Sequence, residues 1–260
     1  MDSNNHSIIR SLAKSLEIMD ILAQNRAPMS LQELASASGY PKSTIHALLS
    51  TMRQYNYIDQ RSNGLYYLGT HVFECGCAVS AAWDISSVAR PHLEFLSSAT
   101  QCTAILSYME HGSVINIDQC ANNGSIRIMQ EIGSRLPLHS TSQGKLMLAM
   151  LSDKEVSRLL SATGMPAFTP HTITDIDTLF TALQQIRTNH YAVENGEHKI
   201  GLRSISAPVY DRDGNARYAI GVVGFFRRID SEEFTNSVEQ VIASAQRLSA
   251  DIGYRPSKTK

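Results

Sequence analysis

Three clusters in this 260-residue sequence combine residue types and spacing that chemistry uses. Cys75 and Cys77 form a Cys-x-Cys pair, Glu197-His198 sets a carboxylate beside an imidazole, and Ser140-Thr141-Ser142-Gln143-Gly144 places hydroxyls and an amide ahead of Lys145. The cysteine pair is tighter than the usual zinc spacing and no second pair follows, so these two, with Cys102 and Cys120, are expected to be reduced, buried thiols. Glu197-His198 has no second ligand at metal spacing and reads as a surface or cap pair. No Gly-x-Ser-x-Gly elbow, phosphate loop or His-Glu-x-x-His is present. A cofactor-free chain that is not an enzyme is therefore expected. The competing reading is an enzyme of unknown class with an accessory DNA-binding unit, in which Cys102 or Cys120 would need a histidine beside it. The Ser140–Gly144 run fits ligand binding better: amides at a helix start favour an anion such as a carboxylate.

The bulk properties narrow this further. A hydrophobic fraction of 43% supports a packed core. The net charge of −1 excludes coating nucleic acid by bulk charge, so any such contact needs a local patch. No apolar run reaches the roughly 18 residues of a membrane span, and Met1–His6 is polar, so a cytoplasmic chain without a membrane partner is expected.

Residues 8–25 carry Leu12, Leu16, Met19 and Leu22 on one helical stripe. Ser30-Leu31-Gln32-Glu33 is a capping box opening a second helix, which Gly39 ends. Pro41 suits the first position of a third helix that buries Ile45, Leu48, Leu49 and Met52. Its other face reads Lys42, Ser43, Thr44, His46, Ala47, Ser50 and Arg53, side chains short enough to enter a major groove. Tyr57–Arg61 and Leu65–Leu68, joined by Ser62-Asn63-Gly64, predict a hairpin that carries Arg61 toward phosphate. Three helices and a hairpin make a winged helix-turn-helix. The alternative is a winged helix that binds only protein.

Thr70–Ala82 is rich in small residues and predicts a linker helix that packs on a partner. Pro91 is expected to interrupt or kink the helix that follows. From Gln101 onward, hairpins around Gly112 and Asp211–Asn215 mix with helices at Gly144–Leu151, after the capping box Ser152–Glu155, at Asp175–Asn189 and along Phe234–Ile252. Antiparallel hairpins with segregated helices argue an α+β class.

Several ordered motifs resemble the IclR (isocitrate lyase regulator) family of bacterial regulators. They are Ser30–Ala35, Gly39–His46, Tyr66–Gly69, Ala89–Leu93, Leu136–Lys145 and Glu197–Pro208, spread over nearly the whole chain. Ala47 stands where the family usually carries arginine. The resemblance implies a winged helix-turn-helix over 1–69, a linker helix over 70–84 and a GAF-like effector domain over 85–260. It implies a DNA-binding transcriptional regulator, a repressor or an activator, acting as a homodimer or homotetramer on a palindromic operator in double-stranded DNA. DNA contacts are expected from Lys42, Ser43, Thr44, His46, Ala47, Arg53 and Arg61. Carried over by motif, the effector positions are Ser142, Gln143, Gly144, Glu194, Ser204, Gly221 and Val223, for a small organic or aromatic acid. In this reading the helix start, Ser204 and Lys145 hold a carboxylate, Glu194 accepts a ligand hydroxyl at the far end, and Gly221 and Val223 make apolar room.

Overall fold

The computed structural model describes residues 8–25, 27–82, 85–110, 112–121 and 128–255, which fall into two compact units, Met1–Asp84 and Ile85–Lys260.

The first unit runs α1 (Arg10–Asn25), α2 (Leu31–Ser38), α3 (Lys42–Gln54), β1 (Ile58–Gln60), β2 (Tyr66–Leu68) and α4 (Thr70–Ala82). The capping box forms as expected: Glu33 N–H donates to Ser30 Oγ at 3.2 Å and Ser30 N–H to Glu33 Oε2 at 2.7 Å. Gly39 closes α2 in the left-handed region at φ 71°. Pro41 sits one residue earlier than expected, as the cap ahead of α3. Ile18, Leu34, Ile45, Leu49 and Ile58 are the innermost core residues. The α1 stripe is a correction. Leu12 and Leu16 are 55% and 53% exposed, while Ile18 and Leu22 are buried. Full burial on α1 begins only at Ile18, so spacing marked an apolar face without marking how far the core extends along it. α4 is helical despite Gly76, and no described side chain on it is buried.

The second unit holds α5 (Ile85–Thr100), β3 (Thr103–Glu110), β4 (Ser113–Cys120), α6 (Ser142–Ala149), α7 (Asp153–Thr163), α8 (Ile176–Asn189), β5 (Ala192–Asn195), β6 (Arg203–Tyr210), β7 (Ala216–Gly224) and α9 (Glu232–Asp251). α5 runs through Pro91 rather than ending there. The strands form one antiparallel sheet in the order β4-β3-β7-β6-β5. α5 and α9 pack against each other and on the sheet; α6 packs on β4–β7 and against α8. Alternation along the strands puts Ser204, Ser206, Gly221 and Val223 toward α6, and Ile205, Ala207, Ile220 and Val222 away from it. β5 pairs only with Arg203–Ser206, so β6 continues four residues, Ala207 to Tyr210, beyond its neighbour. This is the α+β arrangement expected, with antiparallel strands and segregated helices. α6 begins at Ser142, two residues earlier than expected, because Thr141 caps it: Gly144 N–H donates to Thr141 Oγ1 at 3.1 Å.

The capping box generates a prediction. Ser30→Ala removes the acceptor for Glu33 N–H and lowers stability by about 1 kcal/mol, and Ser30→Asp retains most of it. Urea unfolding of both variants beside wild type measures this.

Candidate DNA-binding face and ligand cavity

The recognition face is built by α3 and the hairpin. Lys42, Ser43, His46, Ala47 and Arg53 are exposed and Thr44 is half-buried against the core stripe. Lys42 Nζ donates to Gln32 Oε1 of α2 at 3.1 Å. Arg53 donates from NH1 to Gln60 Oε1 at 2.8 Å, and Gln60 Nε2 donates to the Gly64 carbonyl at 2.9 Å. This chain of bonds ties the last turn of α3 to the tip of the wing. Arg61 is exposed on the wing, its guanidinium 5.8 Å from the Tyr67 ring centroid. The Tyr67 hydroxyl donates to Asp59 Oδ2 at 2.9 Å. With the Gln60 amide it holds the Asp59 carboxyl below its ordinary range.

In the second unit a cavity of about 420 Å³ opens between the start of α6, the β5–β6 turn and the 128–137 segment. Its inner wall includes Gln143, Glu194, Ser204 and Val223, all buried; exposed Met129, Glu131, Arg135 and Lys199 line its mouth. Glu194 Oε1 accepts from the Glu197 and His198 amides at 2.6 and 3.1 Å, and Oε2 accepts from Ser204 Oγ at 3.2 Å. Burial raises the Glu194 carboxyl above its ordinary value against the pull of those amides. Ser142 Oγ lies 2.9 Å from Ser204 Oγ and 2.7 Å from Ser206 Oγ, so three hydroxyls fasten α6 to the sheet. Two polar atoms on lining residues have no hydrogen-bond partner: Gln143 Nε2 and His198 Nδ1. Burial, then Lys199 and His139, hold the His198 imidazole below its ordinary pKa, hence neutral at pH 7.

Of the expected effector positions, the fold brings Gln143, Glu194, Ser204 and Val223 to this cavity; Ser142 stands behind Ser204. Gly144 and Gly221 do not line it. A Cβ on Gly144 would meet the Pro137 and Leu138 carbonyl oxygens at 2.4 and 2.5 Å. One on Gly221 would meet the Ile205 carbonyl oxygen at 2.1 Å and Ser206 Oγ at 2.6 Å. Gly221 therefore lets β7 lie close against β6 rather than making room for a ligand. Three other expectations change. Glu197 is 7% exposed rather than at the surface, and it accepts from Lys145 Nζ at 2.5 Å, so the lysine charge expected for a ligand is already paired. Cys75 and Cys77 are exposed. Cys102 is buried as expected, and burial pushes its thiol up to about 11, which leaves almost no thiolate for nucleophilic attack. His198 was expected only as half of a surface or cap pair with Glu197, and Arg135 and Lys199 were not anticipated at the cavity. Their side chains reach the cavity from segments whose sequence shows no periodicity or capping signal.

A helix-turn-helix with an exposed groove-sized face, followed by a sheet domain holding a polar-walled cavity, is the build of a DNA-binding transcriptional regulator. Residues 11–62 match the IclR helix-turn-helix domain, and residues 77–250 match the family described as bacterial transcriptional regulator IclR C-terminal. The chain belongs to the IclR family. It is 31% identical over 248 residues to the HTH-type transcriptional regulator XynR of Escherichia coli K12, covering 95% of this chain and 98% of that one. It is also 31% identical over 249 residues to the transcriptional repressor IclR of the same organism, covering 94% and 90%. A crystal structure of an IclR homolog from Microbacterium hydrocarbonoxydans, complexed with 4-hydroxybenzoate, shares the fold with a TM-score of 0.78 at 21% identity, covering 93% of this chain and 98% of that one.

Two stability predictions follow from the buried groups. Lys145→Met strands Glu197 and costs about 3–5 kcal/mol, whereas Lys145→Met with Glu197→Leu recovers most of the loss. Gly221→Ser costs at least about 1–3 kcal/mol through overpacking. Chemical denaturation reads both; a Gly221→Ser protein as stable as wild type would contradict the close approach.

Proposed function

We propose that this regulator is controlled by a small organic or aromatic acid bound in the cavity, and that it binds a palindromic operator as a homodimer or homotetramer in the cytoplasm. The observation that carries the effector reading is a cavity of about 420 Å³ lined by buried polar residues, two of them holding atoms without partners. Ligand sites are pockets of this size with a few convergent polar groups, and unpaired buried polar atoms are costly unless something binds them. The relative solved with 4-hydroxybenzoate supports an aromatic acid as one member of the class.

On the DNA side, Thr44 and His46 reach base edges, Ala47 offers a methyl to a thymine, and Ser43 binds beside them. Lys42, Arg53 and Arg61 bind phosphates and set the register. One winged helix buries too little surface for tight specific binding, and two-fold sites mirror two-fold proteins. The first unit supplies a surface for a second copy: α4 is 13 residues long with no described side chain buried, and Phe73 is 75% exposed. A helix that short is marginal in water on its own. The effector shifts DNA affinity only through unequal affinity for the DNA-competent and released states, a coupling of about 1–3 kcal/mol.

Fluorescence anisotropy with the chain's own upstream DNA tests the assignment. Thr44→Ala and His46→Ala lose on the order of 1–3 kcal/mol at the specific site and relax specificity. Arg53→Ala weakens binding on every sequence and lowers the salt slope by about one. Operator binding of the first two variants at wild-type strength would overturn the base-reading assignment. Sedimentation at micromolar concentration is expected to show a dimer or tetramer.

A further inference from the structure

We infer that the second unit carries a further small-molecule site at the end of β6, where β5 does not reach, and that it takes a neutral, flat aromatic molecule.

A cavity of about 490 Å³ opens there, between the end of α8 and the last turns of α9. His190 closes α8 in the left-handed region at φ 60°, its N–H donating to the Ile186 carbonyl at 2.8 Å. Gly253 closes α9 at φ 99°, its N–H donating to the Ala250 carbonyl at 3.1 Å, and the Tyr254 N–H donates to the Ser249 carbonyl at 2.9 Å. That paired closure needs a residue at ease with positive φ, and it folds the chain back over the helix end. It brings Tyr254 onto Tyr210 of β6, ring centroids 5.1 Å apart and planes 29° apart. Buried Ser249 ties the same elements: its Oγ accepts from the Tyr210 N–H at 3.0 Å and donates to the Ala245 carbonyl at 2.6 Å. The Arg255 guanidinium secures the closure, donating to the Ala250 and Tyr254 carbonyls at 3.0 Å each. The walls are thus fixed before a ligand arrives, which lowers the cost of binding.

The lining differs from that of the cavity at α6. Ala207, Pro208, Ile242 and Ala245 make an apolar floor, and among the described residues no Asp, Glu, Lys or Arg lines it. A carboxylate or ammonium entering would shed water and meet no countercharge, so the site selects neutral molecules. Around the floor stand the Tyr210 and Tyr254 hydroxyls, the Gln246 amide and the His190 imidazole, none with a hydrogen-bond partner among the described residues. Burial, then the neighbouring Tyr254, hold the Tyr210 phenol above its ordinary pKa, so it stays a neutral donor and acceptor. An apolar floor with a few hydrogen-bonding groups, in a space of this volume, is the make-up of a small-molecule site. The paired tyrosines offer a flat ring an offset or edge contact. A protein surface fits less well, because Ala207 and Pro208 are buried at the bottom of the recess.

Methyl NMR on the full-length protein tests the assignment, with 2-naphthol as the neutral probe and 2-naphthoate as its anionic counterpart. Ile242 reports this cavity, and Val223 reports the cavity at α6 separately. 2-Naphthol should shift the Ile242 methyl saturably, and 2-naphthoate should bind there about tenfold or more weakly. Tyr254→Ala should weaken 2-naphthol by about two- to tenfold, the worth of one aromatic contact. Ala250→Leu, at an exposed position of α9 on the cavity wall, keeps the helix and fills the space, and should abolish the Ile242 shift. An Ile242 methyl that 2-naphthol leaves unmoved, or 2-naphthoate binding as tightly as 2-naphthol, would overturn the inference. So would an Ile242 shift that survives both variants. If the ligand-free Ile242 signal moves on dilution and Ala250→Leu lowers the sedimentation coefficient, a second copy covers this face and the small-molecule reading falls.

Discussion

Lys145 carries the single ionisable side chain on a helix whose every residue is buried, and the layer around it depends on where that charge goes. It goes to Glu197, which lies in the turn between β5 and β6. That turn is shaped in part by Glu194, which accepts the Glu197 and His198 amides. The ion pair therefore fixes α6 to the same turn that supplies the cavity's inner carboxylate. Ser142, Ser204 and Ser206 fix the start of α6 to the sheet from the other side. Stability and cavity shape share one set of buried polar contacts, so a change to the pair disturbs the cavity even though neither Lys145 nor Glu197 lines it.

How much of this was legible in the sequence depended on how local the controlling physics is. Capping boxes, the Asn-Gly hairpin and the regular stripe of α9 are decided within a few residues, and each formed where the spacing placed it. The motif positions Gln143, Glu194, Ser204 and Val223 also converged. Features decided by distant packing were not readable. Leu12 and Leu16 fit a helical stripe, but nothing local says that the core ends before them. β5 is only four residues long, too short to show an alternation of its own, so the sequence reading missed it even though Asn195-Gly196 marks its end. Glu197 looked like surface because a carboxylate beside a histidine usually is; only the fold brings Lys145, fifty-two residues earlier, against it. Gly221 was assigned to ligand space when its missing side chain is required by the Ile205 carbonyl of the neighbouring strand.

On the DNA side the Arg53–Gln60–Gly64 chain of bonds has a comparable role. It spans the last turn of α3, β1 and the wing tip, so helix and wing present their groups with a fixed spacing. Binding then loses little additional conformational freedom in this unit, which favours affinity by preorganisation. It also commits some of the hydrogen-bonding capacity of Arg53 to the wing.

The short reach of β5 leaves Ala207–Tyr210 without a strand partner on one side, yet Ala207, Pro208 and Val209 are buried, so this is not an open edge of the kind on which identical chains zip together into aggregates. Two details close it further. Pro208 has no N–H to offer, and the Tyr210 N–H is already spent on Ser249 Oγ of α9 at 3.0 Å. A passing strand from another molecule finds neither donor free along that margin. The sheet can therefore stop short without becoming sticky.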